Sequence, residues 1–508
     1  MKERLFLAVD LGTSFIKASV YTVNGRCRAA ASAPVRCEKP EPGAYVQPGE
    51  ALFETMLACI SDAVGQIPEQ AGAVCSIAFT GQMAGAMAVD EDWNDLTGWS
   101  CSLDSRYLPY AEQQRNRFAD DLFRISGTNA PVMSAKYAWI RDKFPERHRR
   151  IAKYVMLNGY MIGKLSGIAV SEAKIDDSLI TWTGMADLAD RAWSGRLCTE
   201  LEIDPALLPE IVPCTTVGGY LKPELAKRLG LPSGIPLVVG AGDKIAGCTG
   251  AGVLDEGQMI FEAASYGAIS CKVREARPDL ERRSYELLGD IDRKGFYAHK
   301  YLQGSGIATD WFVHMFVEAD HEDAGAAYRR IESLAAGVPA GSERMLAIGL
   351  LGGSAIPFDS ETRGMFMGHS WSHGKGHFYR AMLEGFAYDL ALTLQSIRRQ
   401  YPAYQSREIR LIGGGAKSGL WPQILADVTG CRFSVLDRDD AALWGAALLG
   451  ACTVGETDSI RASAAQSVGI RARFAPDPAE TEKYAPYVDF YERFGKAMHE
   501  WYRELNSL

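Results

Sequence analysis

The chain has no excess of positive charge and no long basic tract: 54 Lys and Arg stand against 63 Asp and Glu, a formal charge of −9 over 508 residues. Nucleic acid is therefore not an expected partner, because gripping a phosphate backbone requires a basic surface. Cysteines are sparse and scattered. The eleven form no Cys-x-x-Cys pair, and no His-Glu-x-x-His segment occurs, so neither a structural zinc site nor a zincin is signalled. The apolar start is interrupted at Asp10, too early for an export signal, and an odd number of thiols then fits reduced cysteines and a cytoplasmic location. Long apolar runs are also missing. The longest uncharged stretches, Met345 to Phe358 and Ala441 to Gly455, fall short of the ~20 residues of a spanning helix and are broken by Gly or Pro, so no membrane partner is expected. There is no low-complexity tract or short-period repeat.

What is present is enough apolar sequence, 47% of 508 residues, for large cores and at least two domains. Leu5 to Val9 reads as a buried strand, and Ser19 to Val23, the Asn24-Gly25 turn and Cys27 to Val35 read as a hairpin extending it. Helical spacing follows from Gly49 to Ile67, with Leu52, Phe53, Met56, Leu57 and Ile60 on one face, and then a strand at Val74 to Phe79. The same grammar restarts at the apolar run Ile235 to Val239. The expected fold is α/β, with one domain over residues 1–240, a second over 241–508 and a cleft between them.

Two glycine-rich, carboxylate-bearing segments stand out, Asp10-Leu11-Gly12-Thr13-Ser14 and Gly240-Ala241-Gly242-Asp243-Lys244, with Gly413-Gly414-Gly415-Ala416-Lys417-Ser418 as a third glycine cluster. In the first, Gly12 lets backbone approach an anion while Thr13 and Ser14 add hydroxyl donors. A carboxylate would repel phosphate directly, so Asp10 makes chemical sense with a divalent cation between them, which predicts a magnesium nucleotide. A plain strand and tight turn is the alternative. Around Asp243, small residues allow close approach by a ligand; a helix N-cap is the alternative role.

These segments resemble the FGGY carbohydrate kinase family, and xylulokinase-like members in particular, over essentially the whole chain. Leu411 to Ser418, continuing through Trp421, Gln423 and Asp427, is similar to the adenosine-binding motif; Gly364 to Gly368 with Arg380 to Gly385, and Lys136 to Ile140, are similar to the two family signatures. The resemblance implies two ribonuclease H-like domains of the actin and hexokinase type flanking a nucleotide and sugar cleft. It implies ATP and Mg2+, with the metal at Asp10 and Asp243. Asp243 matches the general base that accepts the proton of the attacking hydroxyl. The nucleotide is expected at Asp10, Gly12, Thr13, Ser14, Ser265, Gly267, Gly413, Gly414, Gly415, Ala416 and Lys417. The sugar is expected at Gln82, Met83, Asp104, Arg106, Asp243 and Lys244.

Several positions depart from the family pattern. Ala84 replaces a sugar-contacting His, Ser102-Leu103 replaces a Trp-Asn pair, and Lys244 stands where Gln or Asn is usual. Lys244 is read as a cation that pairs with a carboxylated sugar or depresses the pKa of Asp243, or else as a solvated or interdomain residue. Tyr266 adds bulk to the phosphate loop Ala263 to Gly267, and a Gly-Glu-Arg segment is replaced within Leu351 to Pro357. The expected reaction is phosphorylation of a xylulose-like pentulose, with another polyol, a sugar acid or a non-catalytic sensor as alternatives. Trp444 is read as core rather than as an adenine platform. The final helix, with Tyr484, Tyr487, Tyr491, Phe494, Met498 and Trp501 at helical spacing, is read as packing on the second domain, with a homodimer surface as the other possibility.

Overall fold

The computed structural model describes residues 3–508 except 303, 318–323, 350, 352, 356–357, 360–361 and 405. Gly352, Ile356 and Pro357 of the altered segment therefore lie outside the described residues. The first sheet contains β1 (Leu5–Leu11), β2 (Phe15–Thr22), β3 (Cys27–Pro34), β4 (Val74–Gly81), β5 (Val217–Tyr220) and β6 (Pro236–Gly242), in the order β5-β6-β4-β1-β2-β3. Strands β1, β4 and β6 are parallel, while β2, β3 and β5 run antiparallel to their neighbours. Leu5 to Val9 are fully buried, as a central strand covered on both faces requires. The Asn24-Gly25 turn forms where expected, with Gly25 at φ +79°. Strand β2 begins at Phe15, earlier than the apolar pattern suggested, because its first residues pair with β1 beyond the tight turn. Strand β6 runs on to Gly242 through an irregularity at Gly240, whose φ of +79° admits the bend.

Helix α1 (Gly49–Gly65) buries Leu52, Phe53, Met56, Leu57 and Ile60 against β2 and β3. Helix α2 (Val132–Lys143) carries one family-like signature, and α3 (Asp243–Gly250) follows β6 directly. The second sheet contains β7 (Met259–Ala263), β8 (Gly267–Val273), β9 (Glu286–Gly289), β10 (Phe296–Leu302), β11 (Glu408–Ile412), β12 (Arg432–Leu436) and β13 (Ile470–Phe474), in the order β9-β10-β8-β7-β11-β12-β13. It repeats the plan of the first sheet with one strand more: a parallel trio of β7, β11 and β12, an antiparallel flank of β8, β10 and β9, and one antiparallel strand at the other edge. Its helices are α4 (Ser305–Phe316), α5 (Lys375–Gln400), α6 (Trp421–Thr429), α7 (Ala441–Thr453) and α8 (Pro478–Asn506).

Although α7 lies in the chain between β12 and β13 of the second sheet, it packs on α3 and on β1, β4 and β6 of the first. Its small and apolar residues are buried all round, which suits a helix lodged between layers. The α3–α7 crossing is very close: a Cβ on Gly250 would lie 1.9 Å from the Ala441 carbonyl oxygen, and one on Gly445 1.9 Å from that of Ala246. Trp444 is fully buried against Tyr21 and Gly25, so it is core. Helix α8 packs on α5 and α6, with the Tyr484 hydroxyl donating to Glu384 Oε1 at 2.7 Å, while Trp501 stays 54% exposed. Among the described residues no helix is long and apolar enough to cross a membrane.

Candidate active site

Each sheet places a carboxylate at the penultimate residue of its first strand, Asp10 on β1 and Glu262 on β7. Asp243 opens α3 immediately after β6. The N-cap position falls on Gly242, with no side-chain cap, so Asp243 is the first helical residue rather than the cap. Asp10, Asp243, Lys244 and Glu262 interact electrostatically. Lys244 Nζ donates to Glu262 Oε2 at 2.6 Å and lies 5.8 Å from the centre of the Tyr301 ring. Burial opposes the Lys244 charge, but Glu262 and Asp243 more than offset it and hold the ammonium protonated. Asp10 is pushed up to about 6, mainly by burial and then by the charge of Asp243. Asp243 is also raised by burial, with Lys244 opposing and Glu262 adding to the shift. Two half-buried carboxylates that resist ionising together form a donor set suited to a divalent cation. Among the described residues no larger cluster of His, Cys, Asp and Glu could hold a metal, and magnesium characteristically takes one or two carboxylates with phosphate and water completing its shell.

Three turns gather beside this floor. Gly12 folds so tightly that an added Cβ would lie 2.6 Å from the Phe15 carbonyl oxygen. Gln47 Nε2 donates to the Thr13 carbonyl at 2.7 Å, and Gln82 Nε2 donates to the Gly12 carbonyl at 3.3 Å and to Gln47 Oε1 at 3.0 Å. Gln82 Oε1 in turn accepts from Trp99 Nε1 at 3.0 Å. Gln82, expected at the sugar, thus spends its amide on holding the Gly12 turn. Ser14 is exposed at the tip.

In the second sheet, Ser265 and Tyr266 are exposed, Gly267 is buried, and the Ser265 carbonyl accepts from Ile307 N at 3.0 Å. Gly413, at φ +95°, presses on Ala263: an added Cβ would lie 2.7 Å from its carbonyl oxygen. Gly414 is open to any approach, Gly415 packs on Trp421, and Ala416 is buried. Lys417 is exposed and pairs with Asp439 at 3.2 Å. Ser265, Gly267 and residues 413–417 therefore lie together at the ends of parallel strands β7 and β11.

Of the residues expected at the sugar, Met83 is buried and in contact with Gly242, where an added Cβ would meet its Cγ at 2.5 Å. Asp104 is fully buried. Its oxygens accept from Arg106 Nη2 at 2.7 Å, Arg106 Nε at 3.0 Å and the Ser100 hydroxyl at 2.9 Å. Burial opposes the Asp104 charge, but these bonds and Lys136 overcome it and hold the carboxyl below its ordinary range. Arg106 also pairs with Glu41 at 2.7 Å and covers the Trp139 ring at 4.7 Å. Sequence reasoning assigned no contacts to Lys136. Its buried ammonium donates to the Ser100 carbonyl at 2.5 Å, the Ser100 hydroxyl at 2.7 Å and the Cys101 carbonyl at 2.7 Å. Burial pushes its pKa down to about 7, with Asp104 opposing. Glu262, the partner of Lys244, was also missed; its only signal was a carboxylate inside an apolar strand.

The model of the FGGY family of carbohydrate kinases matches the chain twice, its N-terminal domain over residues 5–250 and its C-terminal domain over residues 275–454. The chain belongs to the FGGY family of carbohydrate kinases. It is 26% identical over 491 residues to a xylulose kinase of Bacillus subtilis, covering 96% of this chain and 95% of that one. It is 25% identical over 507 residues to a gluconokinase of the same organism, covering 98% and 97%. Among solved structures, gluconate kinase from Lactobacillus acidophilus superposes with a TM-score of 0.91 at 23% identity, covering 99% of this chain and all of that one. Ligand-bound xylulose kinase from the same species gives 0.90 at 23% identity, with the same coverage. The two-domain α/β FGGY fold and kinase activity follow from the family.

Proposed function

We propose that this FGGY kinase transfers the γ-phosphoryl group of ATP to a hydroxyl of a neutral ketose or polyol, with a xylulose-like pentulose as lead substrate. The observation that carries this reading is the cleft floor. There Asp10 and Asp243 interact electrostatically while the adjacent cation, Lys244, is bonded to Glu262. Asp243 takes the proton of the attacking hydroxyl as the new O–P bond forms and the bond to the ADP oxygen breaks. Proton removal of this kind contributes about 10²–10⁴-fold. Asp10 and Asp243 would hold magnesium, which when bound neutralises phosphate charge. The turns at residues 12–14, 265–267 and 413–417 offer donors for the nucleotide, and Met83 lines the approach to Asp243. We divide the two functional halves at residue 240, within β6.

A second reading, a kinase for a sugar acid, is favoured by similarity to the gluconokinase. Against it stand the cations of the sugar side. Arg106 is taken by Asp104 and Glu41, Lys136 by Ser100 and Cys101, and Lys244 by Glu262. The net negative floor also repels a carboxylate.

The test is sugar-dependent ADP release with magnesium ATP across ketoses, polyols and aldonates, with Asp243→Asn as control. Turnover with a neutral sugar, reduced by about 10²-fold or more in the variant, is expected. Preference for an aldonate would install the second reading, and sugar-independent turnover would overturn both.

A further inference from the structure

Behind the cleft floor, the segment 176–182 reaches between the two sheets. On one side it is fastened to the second sheet: Asp177 accepts from Arg293 Nε at 2.7 Å and Nη2 at 2.9 Å, the Thr181 hydroxyl donates to the Leu287 carbonyl at 2.9 Å, and Trp182 Nε1 donates to Glu286 Oε2 at 2.7 Å. On the other side the Ser178 hydroxyl oxygen accepts from the Gly242 backbone N–H at 2.8 Å, one residue before Asp243.

A hydroxyl has a single proton to give. Because the Gly242 N–H must donate, the Ser178 proton goes to Asp176 Oδ1, which also accepts from Ser178 N at 3.0 Å and from Cys214 Sγ at 3.7 Å. The polarity of the chain is thereby fixed from Asp176 to Gly242. Asp176 and Ser178 are both buried, and Asp176 Oδ2 has no hydrogen-bond partner. A buried carboxylate with one oxygen left unpaired is costly to a fold and calls for an explanation. On its opposite side Gly242 abuts Met83, so its peptide is gripped from two directions.

We propose that Ser178, oriented by Asp176, is a positioning residue that fixes the Gly242–Asp243 peptide and so aims the Asp243 carboxylate at the substrate hydroxyl. This rests on the reading of Asp243 as base. Ser178 is buried with its hydroxyl engaged by Gly242 and Asp176, so its removal is expected to act on the chemical step and not on binding. A small misplacement of a reacting group costs up to about 10²-fold.

The experiment is steady-state kinetics on the full chain for Ser178→Ala, Asp176→Ala, Asp176→Asn and Asp243→Asn, and for the Ser178→Ala/Asp243→Asn double variant, each normalised to folded protein. Ser178→Ala should lower kcat by about 10–10²-fold with KM for ATP and sugar unchanged. Asp176→Asn keeps an acceptor toward Ser178 and should retain most activity, whereas Asp176→Ala should behave like Ser178→Ala. In the Asp243→Asn background, Ser178→Ala should add no further loss. A wild-type kcat in Ser178→Ala, a change confined to KM, or a further loss in the Asp243→Asn background would overturn the proposal. An Asp176→Asn variant as impaired as Asp176→Ala would do the same, because a charge and not an acceptor would then be at work. If Asp243→Asn itself turns over like wild type, the base assignment fails, and that outcome is read from its own single variant.

Discussion

Asp10 and Glu262 occupy matching places in two sheets of one plan, yet among the described residues Asp10 makes no ion pair while Glu262 is bonded to Lys244. The turns that follow them differ too. The first is tied down by Gln47 and Gln82; the second holds Tyr266 out toward solvent, 41% exposed. A repeated architecture thus supplies two equivalent carboxylates, and the neighbour each one meets decides its use. Where a lysine arrives, the charge is spent on structure. Where a second carboxylate arrives, both are pushed up in pKa, and these two are the proposed cation ligands.

Removing the unpaired member should have the largest effect. Asp10→Asn should lower turnover by about 10²-fold, as expected when a carboxylate that would hold the phosphate-neutralising magnesium is lost. It should also stabilise the protein. With Asp10 raised from 3.8 to about 6, the folded state keeps a proton through that window that the unfolded chain releases, so this group's contribution to stability is lost as pH rises from 3.8 through 6. Asn does not ionise and escapes that loss. Thermal melting at pH 7 should therefore favour Asp10→Asn, with the gap closing near pH 4; a variant less stable than wild type at pH 7 would refute the raised carboxylate. In the wild type, turnover should fall as pH drops below about 6, as protons bind the Asp10–Asp243 pair.

Breaking the paired member should do less. Lys244→Gln leaves Glu262 alone near two other carboxylates and should cost about 1–2 kcal/mol in denaturant unfolding, with much of this recovered in Lys244→Gln/Glu262→Gln. The ratio of activities on ketoses and aldonates should not change in Lys244→Gln, because its charge already belongs to Glu262. A ratio moving toward ketoses would show that Lys244 reads substrate carboxylates.

The smallest effect is expected from Tyr266→Thr. An exposed side chain away from the core should shift stability by no more than about 0.5 kcal/mol, with the KM for ATP unaltered. A clear fall in that KM would mean the phenol obstructs the phosphate turn, and would make the second turn as active a participant as the first.

Local pattern carried much of this molecule. Alternation and the Asn24-Gly25 turn located the first hairpin, and helical spacing located α1 and its buried face, because both signals depend on residues a few positions apart. Asp10, Asp243 and the glycine turns were likewise conspicuous as small residues beside a lone carboxylate. What escaped was partnership over distance. Lys136 and Ser100 are 36 positions apart, and Lys244 and Glu262 are 18 apart, and nothing in the neighbouring sequence marks either lysine as bound to a partner. Gln82 and Asp104 were found as residue types in the right neighbourhood. Their hydrogen bonds to Gly12, Trp99, Arg106 and Ser100 depend on the packed fold and could not be read from spacing.

The crossing of α3 and α7 has a mechanical meaning. The two helices meet backbone to backbone at Gly250 and Gly445, so neither position has room to absorb a change in their spacing. Asp243 opens α3, and the two contacts, at Ala246 and Gly250, lie about one and two turns beyond it. A methyl group added at Gly250 or Gly445 would force α3 and α7 apart and so displace the proposed base itself.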